Sequence, residues 1–212
     1  MRRLRPWPDF KPGVVVFFCG RVRPFLISWL VVGTANEYSC PALGYAGTVE
    51  QERPLLALDV DGVISLFGFQ RPMTEAPGRF HLIDGMAHCI PDGIGQRLAR
   101  LADHYEIVWA TGWEDRANDR LPEILGLPGE LPFLTFDGNA RFGSAHWKIA
   151  AIDRYAGQRP LAWVDDCIDA TCQAWAVDRP APTLLVATEP DLGLTDRHVD
   201  TLLGWVRAGY TA

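Results

Sequence analysis

The feature that most constrains this chain is a short apolar run that ends abruptly in two acids and a glycine. Residues 55–58 read Leu-Leu-Ala-Leu, and Asp59, Val60, Asp61 and Gly62 follow at once. A continuous apolar run of this length, bounded by turn residues, is typical of a parallel strand that is buried on both faces. Gly62 allows the chain to leave the strand sharply, so that both carboxylates can face one crevice. The sequence therefore predicts a strand that delivers two acids to a sheet edge.

Apolar runs and helical spacing alternate through the rest of the chain. Residues 63–67 and 79–83 favour a β-hairpin after the first loop, and Pro91 suits the first turn of the next helix. The further predicted strands are 105–110, 133–136, 161–164 and 183–186, and the predicted helices are 91–104, 115–125, 144–155, 168–177 and 195–206. This alternation predicts an α/β fold, a doubly wound and mostly parallel sheet with helices on both faces. The hairpin is the only lid that we expect, with no large cap domain.

Composition places the chain among globular proteins and gives no general attraction to nucleic acid. It is 48% hydrophobic and 22% charged, with a formal net charge of -6. A negative chain needs a local basic patch to contact phosphate backbones, so nucleic acid stays a possible partner that charge does not indicate. The five cysteines form no Cys-x-x-Cys pair, which argues against a disulfide framework or a structural zinc site. Reduced thiols predict a cytoplasmic location.

The first 50 residues differ in character from the rest, and we expect an extension at 1–50 followed by a catalytic domain at 51–212. Two apolar runs, 13–19 and 25–32, are separated by basic residues and a proline. Neither reaches the ~20 apolar residues of a membrane-spanning helix, so no stable membrane span is predicted. An ordered segment, a targeting signal and a start codon assigned too early all stay open for this extension.

Three later strand ends also carry polar residues. In a doubly wound sheet, ligands bind beyond the carboxyl ends of the strands, so these residues belong to one potential site with the two acids of the first loop. They are Thr111-Gly112-Trp113 after the second apolar run, Lys148 near a helix start, and Asp165-Asp166 after the run 161–164.

Acids in this arrangement suit phosphoryl transfer. A carboxylate can attack phosphorus when a cation neutralises the repulsion between two anions, and it then forms an aspartyl-phosphate that water hydrolyses. One acid of the Asp59 and Asp61 pair can attack while the other donates and accepts protons as general acid/base. Asp165 and Asp166 supply further acids, and hard oxygen ligands without Cys or His favour Mg²⁺ over zinc.

The remaining polar strand ends suit the phosphoryl group itself. Thr111 can donate its hydroxyl to the transferring oxygens, backbone N–H groups near Gly112 can hold them, and Trp113 could face a substrate. Lys148 adds positive charge to the same oxygens, although Arg141 could play that part.

The motifs that carry this chemistry resemble those of the haloacid dehalogenase superfamily. The string Leu-Leu-Ala-Leu-Asp-Val-Asp-Gly-Val at 55–63 looks like the first motif, Val-Trp-Ala-Thr-Gly-Trp at 108–113 the second, Lys148 the third, and Trp-Val-Asp-Asp at 163–166 the fourth. The string at 109–113, followed by Arg-Ala-Asn, further resembles the domains of this type found with Swiss Army Knife RNA-repair proteins.

The resemblance implies a role for each matching residue. Asp59 would be the nucleophile, Asp61 the general acid/base, Thr111 a phosphate ligand and Lys148 the charge stabiliser. Asp59, the Asp61 carbonyl and Asp166 would bind Mg²⁺, with Asp165 binding directly or through water. Asp169 stands where the family often has another acid near the metal, yet it could equally start the following helix.

Three functions fit these observations. The first is a Mg²⁺-dependent phosphatase for phosphomonoesters, whose nearly capless site would admit a bulky substrate such as a nucleic-acid end or a protein. The second is a phosphotransferase with an acceptor other than water. The third is a catalytically silent binding module of the same fold, which the intact acids disfavour.

Overall fold

The computed structural model of the chain describes residues 53–70, 75–136, 138 and 143–211. The predicted extension at 1–50 and the alternative cation Arg141 lie outside these residues. None of the helices in the described ranges is both long and apolar enough to cross a membrane.

The centre of the fold is a parallel sheet of four strands, β1 (Leu55–Leu58), β4 (Glu106–Trp109), β5 (Leu161–Asp165) and β6 (Thr183–Ala187). Across the sheet they lie in the order β4-β1-β5-β6. β1 lies between β4 and β5, with Leu58 level with Trp109 on one side and Val164 on the other. The chain crosses from β1 to β4 on one side and reaches β5 on the other. The end of β1 is therefore the point where an open α/β sheet opens its ligand crevice.

Helices cover both faces of this sheet. Leu56 and Leu58 of β1 join an apolar cluster with α1 (Ile94–Ala102), α2 (Ala117–Leu125) and α5 (Asp196–Arg207). The alternate residues of β1, Leu55 and Ala57, join a second cluster with α3 (Ile149–Ala156) and α4 (Ala170–Asp178). A strand that is packed on both faces must be apolar at every position, which explains the continuous run at 55–58. The predicted α/β class and helices on both faces are confirmed.

The hairpin exists, but its strands differ from the predicted ones. β2 (Gly78–Ile83) pairs antiparallel with β3 (Met86–Pro91). Asp84 and Gly85 connect them and both have positive φ, 50° and 80°. This conformation suits the two-residue turn that matches the twist of a hairpin, and Asp-Gly is a strong sequence signal for it.

Two local predictions are therefore wrong, and a third element is shorter than expected. Residues 63–67 contribute only two isolated bridges, Ser65 with Asp61 and Leu66 with Cys89, and Pro91 ends β3 instead of starting a helix. Helix α1 begins at Ile94, after Gly93. The predicted strand at 133–136 is reduced to a single bridge between Phe133 and Trp109 at the sheet edge.

Candidate active site

The nucleophile candidate lies at the first position after β1. The Asp59 backbone N–H donates to the Val164 carbonyl at 3.1 Å, which continues the pairing of β1 with β5 for one more residue. Its own carboxylate accepts a hydrogen bond from the Val60 N–H at 2.8 Å. The residue is 7% exposed. Asp59 is thus held at the bottom of the crevice, with its carboxylate fixed by the backbone that follows it.

The loop after Asp59 depends on Gly62. Its φ is +71°, in the left-handed region that L side chains rarely adopt. A Cβ at this position would lie 2.5 Å from Cγ of Asp166, so the first and fourth motif loops touch only because the residue is glycine. Thr188, after β6, donates its hydroxyl to the Gly62 carbonyl at 2.9 Å and fixes the same turn. Glycine therefore brings the Asp61 loop and the Asp166 carboxylate side by side.

Lys148 joins two buried carboxylates. It ends a short 3-10 turn, His146–Lys148, that precedes α3, and it is only 3% exposed. Its Nζ lies 2.7 Å from Oδ2 of Asp59 and 2.7 Å from Oδ2 of Asp165. The lysine predicted for the third motif is therefore in contact with the first and fourth motifs.

This group of three charges is electrostatically unbalanced. Two carboxylates and one ammonium carry a net negative charge away from water. Burial raises the pKa of Asp59 to about 7, with Lys148 acting against that rise and Asp165 adding to it. For Lys148, burial would lower the pKa, but the two carboxylates outweigh it and raise the pKa above its usual value. Lys148 therefore stays charged, whereas burial above all, with Asp165 nearby, favours the protonated form of Asp59.

The fourth motif offers the oxygens that a cation requires. Asp165 is fully buried, and its Oδ1 accepts a hydrogen bond from the Cys167 N–H at 2.9 Å while Oδ2 holds Lys148. Asp166 is half-buried, and its carboxylate faces the turn at Gly62. Potential ligand atoms of Asp165, Asp166 and Cys167 lie within 4.8 Å of one another. Burial raises the pKa of the Cys167 thiol to about 12, so the useful donors are the carboxylates. This oxygen set fits a hard divalent cation.

The residues of the second motif follow β4, and Trp113 contacts the first motif. Thr111 is 1% exposed, and its hydroxyl accepts from the Trp113 N–H at 3.4 Å. Trp113 is half-buried, and its indole N–H donates to Oδ2 of Asp61 at 2.9 Å. Gly112 is exposed between them. The sequence predicted these three residues as substrate ligands, and the structure places Trp113 against the predicted acid/base.

Asp169 caps a helix. Its Oδ1 accepts from the N–H groups of Thr171 and Cys172 at 2.9 and 3.0 Å, at the start of α4. Its other oxygen accepts from Ser144 and contacts His146, 2.9 Å away. The hydrogen bond with His146 is the main cause that lowers the pKa of Asp169. Of the two roles left open for Asp169, the structure favours the helix start.

Two supporting residues escaped the sequence analysis. His88 on β3 is buried, its Nδ1 is 2.8 Å from the Ser65 hydroxyl, and its ring meets Trp113 edge to face at 4.8 Å. The five histidines share no spacing, so nothing local marked this one. Asn118 ties the end of β4 to the loop at Leu131, because its side-chain oxygen accepts from the Trp109 indole at 3.0 Å and its amide donates to the Leu131 carbonyl. Its position in the Arg-Ala-Asn string was the available signal.

Comparison with known families gives one result. The sequence model of a family described as "HAD domain in Swiss Army Knife RNA repair proteins" matches residues 55–199. No curated protein matches the chain. The matched range contains all four motifs and more than half of the chain, and it supports a phosphatase-type hydrolase in general. The chain belongs to the haloacid dehalogenase (HAD) domain family of Swiss Army Knife RNA repair proteins.

Proposed function

We propose that the domain is a Mg²⁺-dependent phosphomonoester hydrolase that works through an aspartyl-phosphate on Asp59. The observation that carries the proposal is the contact of one lysine, Lys148, with Asp59 and Asp165 at the end of β1, with Asp61 two residues further on. Acids that only cap a turn or a helix do not require a buried lysine between them, so this contact favours a catalytic role.

The residues have complementary parts in the first half of the reaction. A carboxylate oxygen of Asp59 attacks phosphorus, and the bond from phosphorus to the leaving oxygen breaks as the new one forms. Asp61 donates its proton to the leaving oxygen, which departs as an alcohol. Lys148 neutralises charge on Asp59, and the Thr111 hydroxyl is available to the phosphoryl oxygens. The product of this half is the phosphorylated Asp59.

The second half reverses these roles. Asp61, now ionised, takes a proton from a water molecule whose oxygen attacks phosphorus, and the bond from phosphorus to Asp59 breaks. Inorganic phosphate leaves, and both acids return to their starting states. Asp59, the Asp61 carbonyl and Asp166 would hold Mg²⁺, which supplies positive charge to the phosphoryl oxygens and to the nucleophile.

An open site favours a large substrate. Among the described residues, the hairpin β2–β3 is the element inserted between the first two motifs, apart from α1 and β4. We therefore propose a substrate in which a phosphomonoester terminates a larger molecule, such as a phosphorylated nucleic-acid end or protein.

The experiment uses purified full-length protein with Mg²⁺ and a panel of phosphorylated sugars, nucleotides, and 3'- and 5'-phosphorylated oligonucleotides. We expect release of inorganic phosphate from at least one class and loss of turnover in Asp59→Asn. Borohydride reduces an acyl phosphate, so quenched wild-type protein should contain homoserine at position 59 by mass spectrometry. Transfer of phosphate to an acceptor other than water would show the phosphotransferase instead. Folded protein that is inactive across the panel would refute the proposal in favour of a binding module.

A further inference from the structure

We infer that Trp113 is a positioning residue for the general acid, and that its indole N–H fixes the orientation of the Asp61 carboxylate. The inference rests on the proposed function, because it assigns Asp61 the acid role. It adds a residue whose side chain does not need to touch the reacting atoms.

The contact between Trp113 and Asp61 is directional. An indole N–H is a donor only, and Trp113 Nε1 lies 2.9 Å from Oδ2 of Asp61. Oδ2 therefore accepts this hydrogen bond, which leaves Oδ1 as the oxygen that can face the leaving group. In the described part of the chain, the Asp61 carboxylate has no other hydrogen-bond partner.

A fixed orientation matters for this side chain in particular. Asp61 is half-buried and lies in a loop, where an unrestrained carboxylate would sample several rotamers and present either oxygen to the leaving group. Proton transfer requires the acid to be within hydrogen-bond reach of the leaving oxygen. Because Trp113 is hydrogen bonded to Oδ2, Oδ1 is the oxygen that remains available to the substrate.

Trp113 is itself held by the hairpin. The ring of His88, on β3, packs edge to face against Trp113 with centroids 4.8 Å apart and an interplanar angle of 70°. His88 Nδ1 is hydrogen bonded to the Ser65 hydroxyl at 2.8 Å. Ser65 belongs to the same loop as Asp61, since its carbonyl accepts from the Gly62 N–H at 2.8 Å. These contacts form a closed ring from the acid loop through β3 and back, so the hairpin supports the acid as well as bordering the site.

Two other roles for Trp113 predict different kinetics. A tryptophan that forms the wall of a substrate pocket would affect KM for every substrate that it contacts. A tryptophan that only stabilises the fold would affect all substrates alike. Loss of a residue that positions the acid slows only those substrates whose leaving group needs a proton. A weakly basic aryl oxide departs without a proton, whereas a strongly basic alkoxide must be protonated as it leaves.

The kinetic experiment compares Trp113→Phe with wild type on p-nitrophenyl phosphate and on propyl phosphate, both with Mg²⁺. The phenylalanine keeps the ring contact with His88 and removes the N–H donor. General acid catalysis contributes roughly 10²- to 10⁴-fold, so partial loss should lower kcat/KM for propyl phosphate by about 10- to 100-fold. For p-nitrophenyl phosphate, the loss should stay under about 3-fold. Trp205→Phe, on α5 against Tyr210, is the matched control and should leave the ratio of the two rates unchanged.

A second measurement tests the contact without turnover. The chain has eight tryptophans, so its ¹⁵N spectrum has few indole signals, and the signal missing from Trp113→Phe identifies Trp113. In folded Asp61→Ala, this signal should shift upfield as the hydrogen bond is lost. If Trp113→Phe lowers kcat/KM equally for both esters, or if the Trp113 indole signal does not shift in Asp61→Ala, the inference is overturned while the proposed function stands. A folded wild type that releases phosphate neither from these two esters nor from any member of the substrate panel overturns the proposed function and, with it, the acid role.

Discussion

Replacement of Asp59 by asparagine should stabilise the cation-free protein while it removes activity. Asparagine has nearly the shape of aspartate but no charge, so the variant leaves Lys148 paired with Asp165 alone. The ionised wild type instead keeps a net negative charge among these three buried residues. Removal of one partner of a balanced buried pair would be destabilising, but here it restores the balance.

The magnitude follows from the pKa of Asp59. Burial is the main cause that raises it from 3.8 to about 7, and one pKa unit corresponds to about 1.4 kcal/mol. The unfolded chain loses its proton near pH 3.8, whereas the folded chain keeps it until about pH 7. Between these values the folded state binds more protons, so wild-type stability falls as pH rises. The advantage of the variant should therefore be under ~1 kcal/mol at pH 4 and reach about 4 kcal/mol above pH 7.

Urea denaturation in EDTA, followed at several pH values from 4 to 8, measures this difference directly. Comparison of two proteins that differ only at position 59 cancels the titration of the other acids. Asp92→Asn serves as the control, because Asp92 pairs with Arg79 on the surface and its side chain is 72% exposed, so its effect should stay within about 0.5 kcal/mol. An Asp59→Asn protein that is less stable than wild type at pH 8, or an advantage that does not change with pH, would refute the reasoning.

Three further predictions test the surroundings of the nucleophile. Lys148→Met should lower the free energy of unfolding by about 3–5 kcal/mol, because it leaves two buried carboxylates without a counter-charge. An unchanged midpoint of urea denaturation would contradict the contact of Lys148 with Asp59 and Asp165. Gly62→Ala should lose Mg²⁺-induced thermal stabilisation because its Cβ would displace Asp166, whereas Gly68→Ala, at a similar φ of +76° with no atom within 4 Å, should keep it. His88→Ala should lower kcat/KM for propyl phosphate more than for p-nitrophenyl phosphate, and an equal loss on both would show that His88 only stabilises the fold.

The sequence predicted the parts of the site that depend on a single strand end. The apolar run at 55–58 needs a sheet buried on both faces, and the acid after each run must then lie at the same edge, which places Asp59 beside Asp165. The hairpin was mispaired because the 79–83 run was matched with the apolar residues at 63–67. The decisive signal was the Asp84-Gly85 turn, whose positive φ values favour those two residues.

Contacts between loops could not be predicted from the sequence, because they depend on tertiary packing. The direction of the Trp113 indole depends on where β3 places His88, 25 residues earlier in the chain, and that placement depends on the bridge between Leu66 and Cys89. No local spacing encodes such a contact, because the hairpin could pack in several ways that bury the same apolar residues. A motif thus predicts which groups meet at the strand ends, while the orientation of each group is decided by tertiary packing.

The unbalanced charge at Asp59 links the fold to the proposed chemistry. If Lys148 alone had to neutralise both carboxylates, a nucleophile with a pKa of about 7 would be only half ionised at neutral pH. A cation held by Asp59 and Asp166 would favour the ionised form and lower that pKa, and by the same linkage it would stabilise the folded state. Binding of the cation and activation of the nucleophile would then be one event.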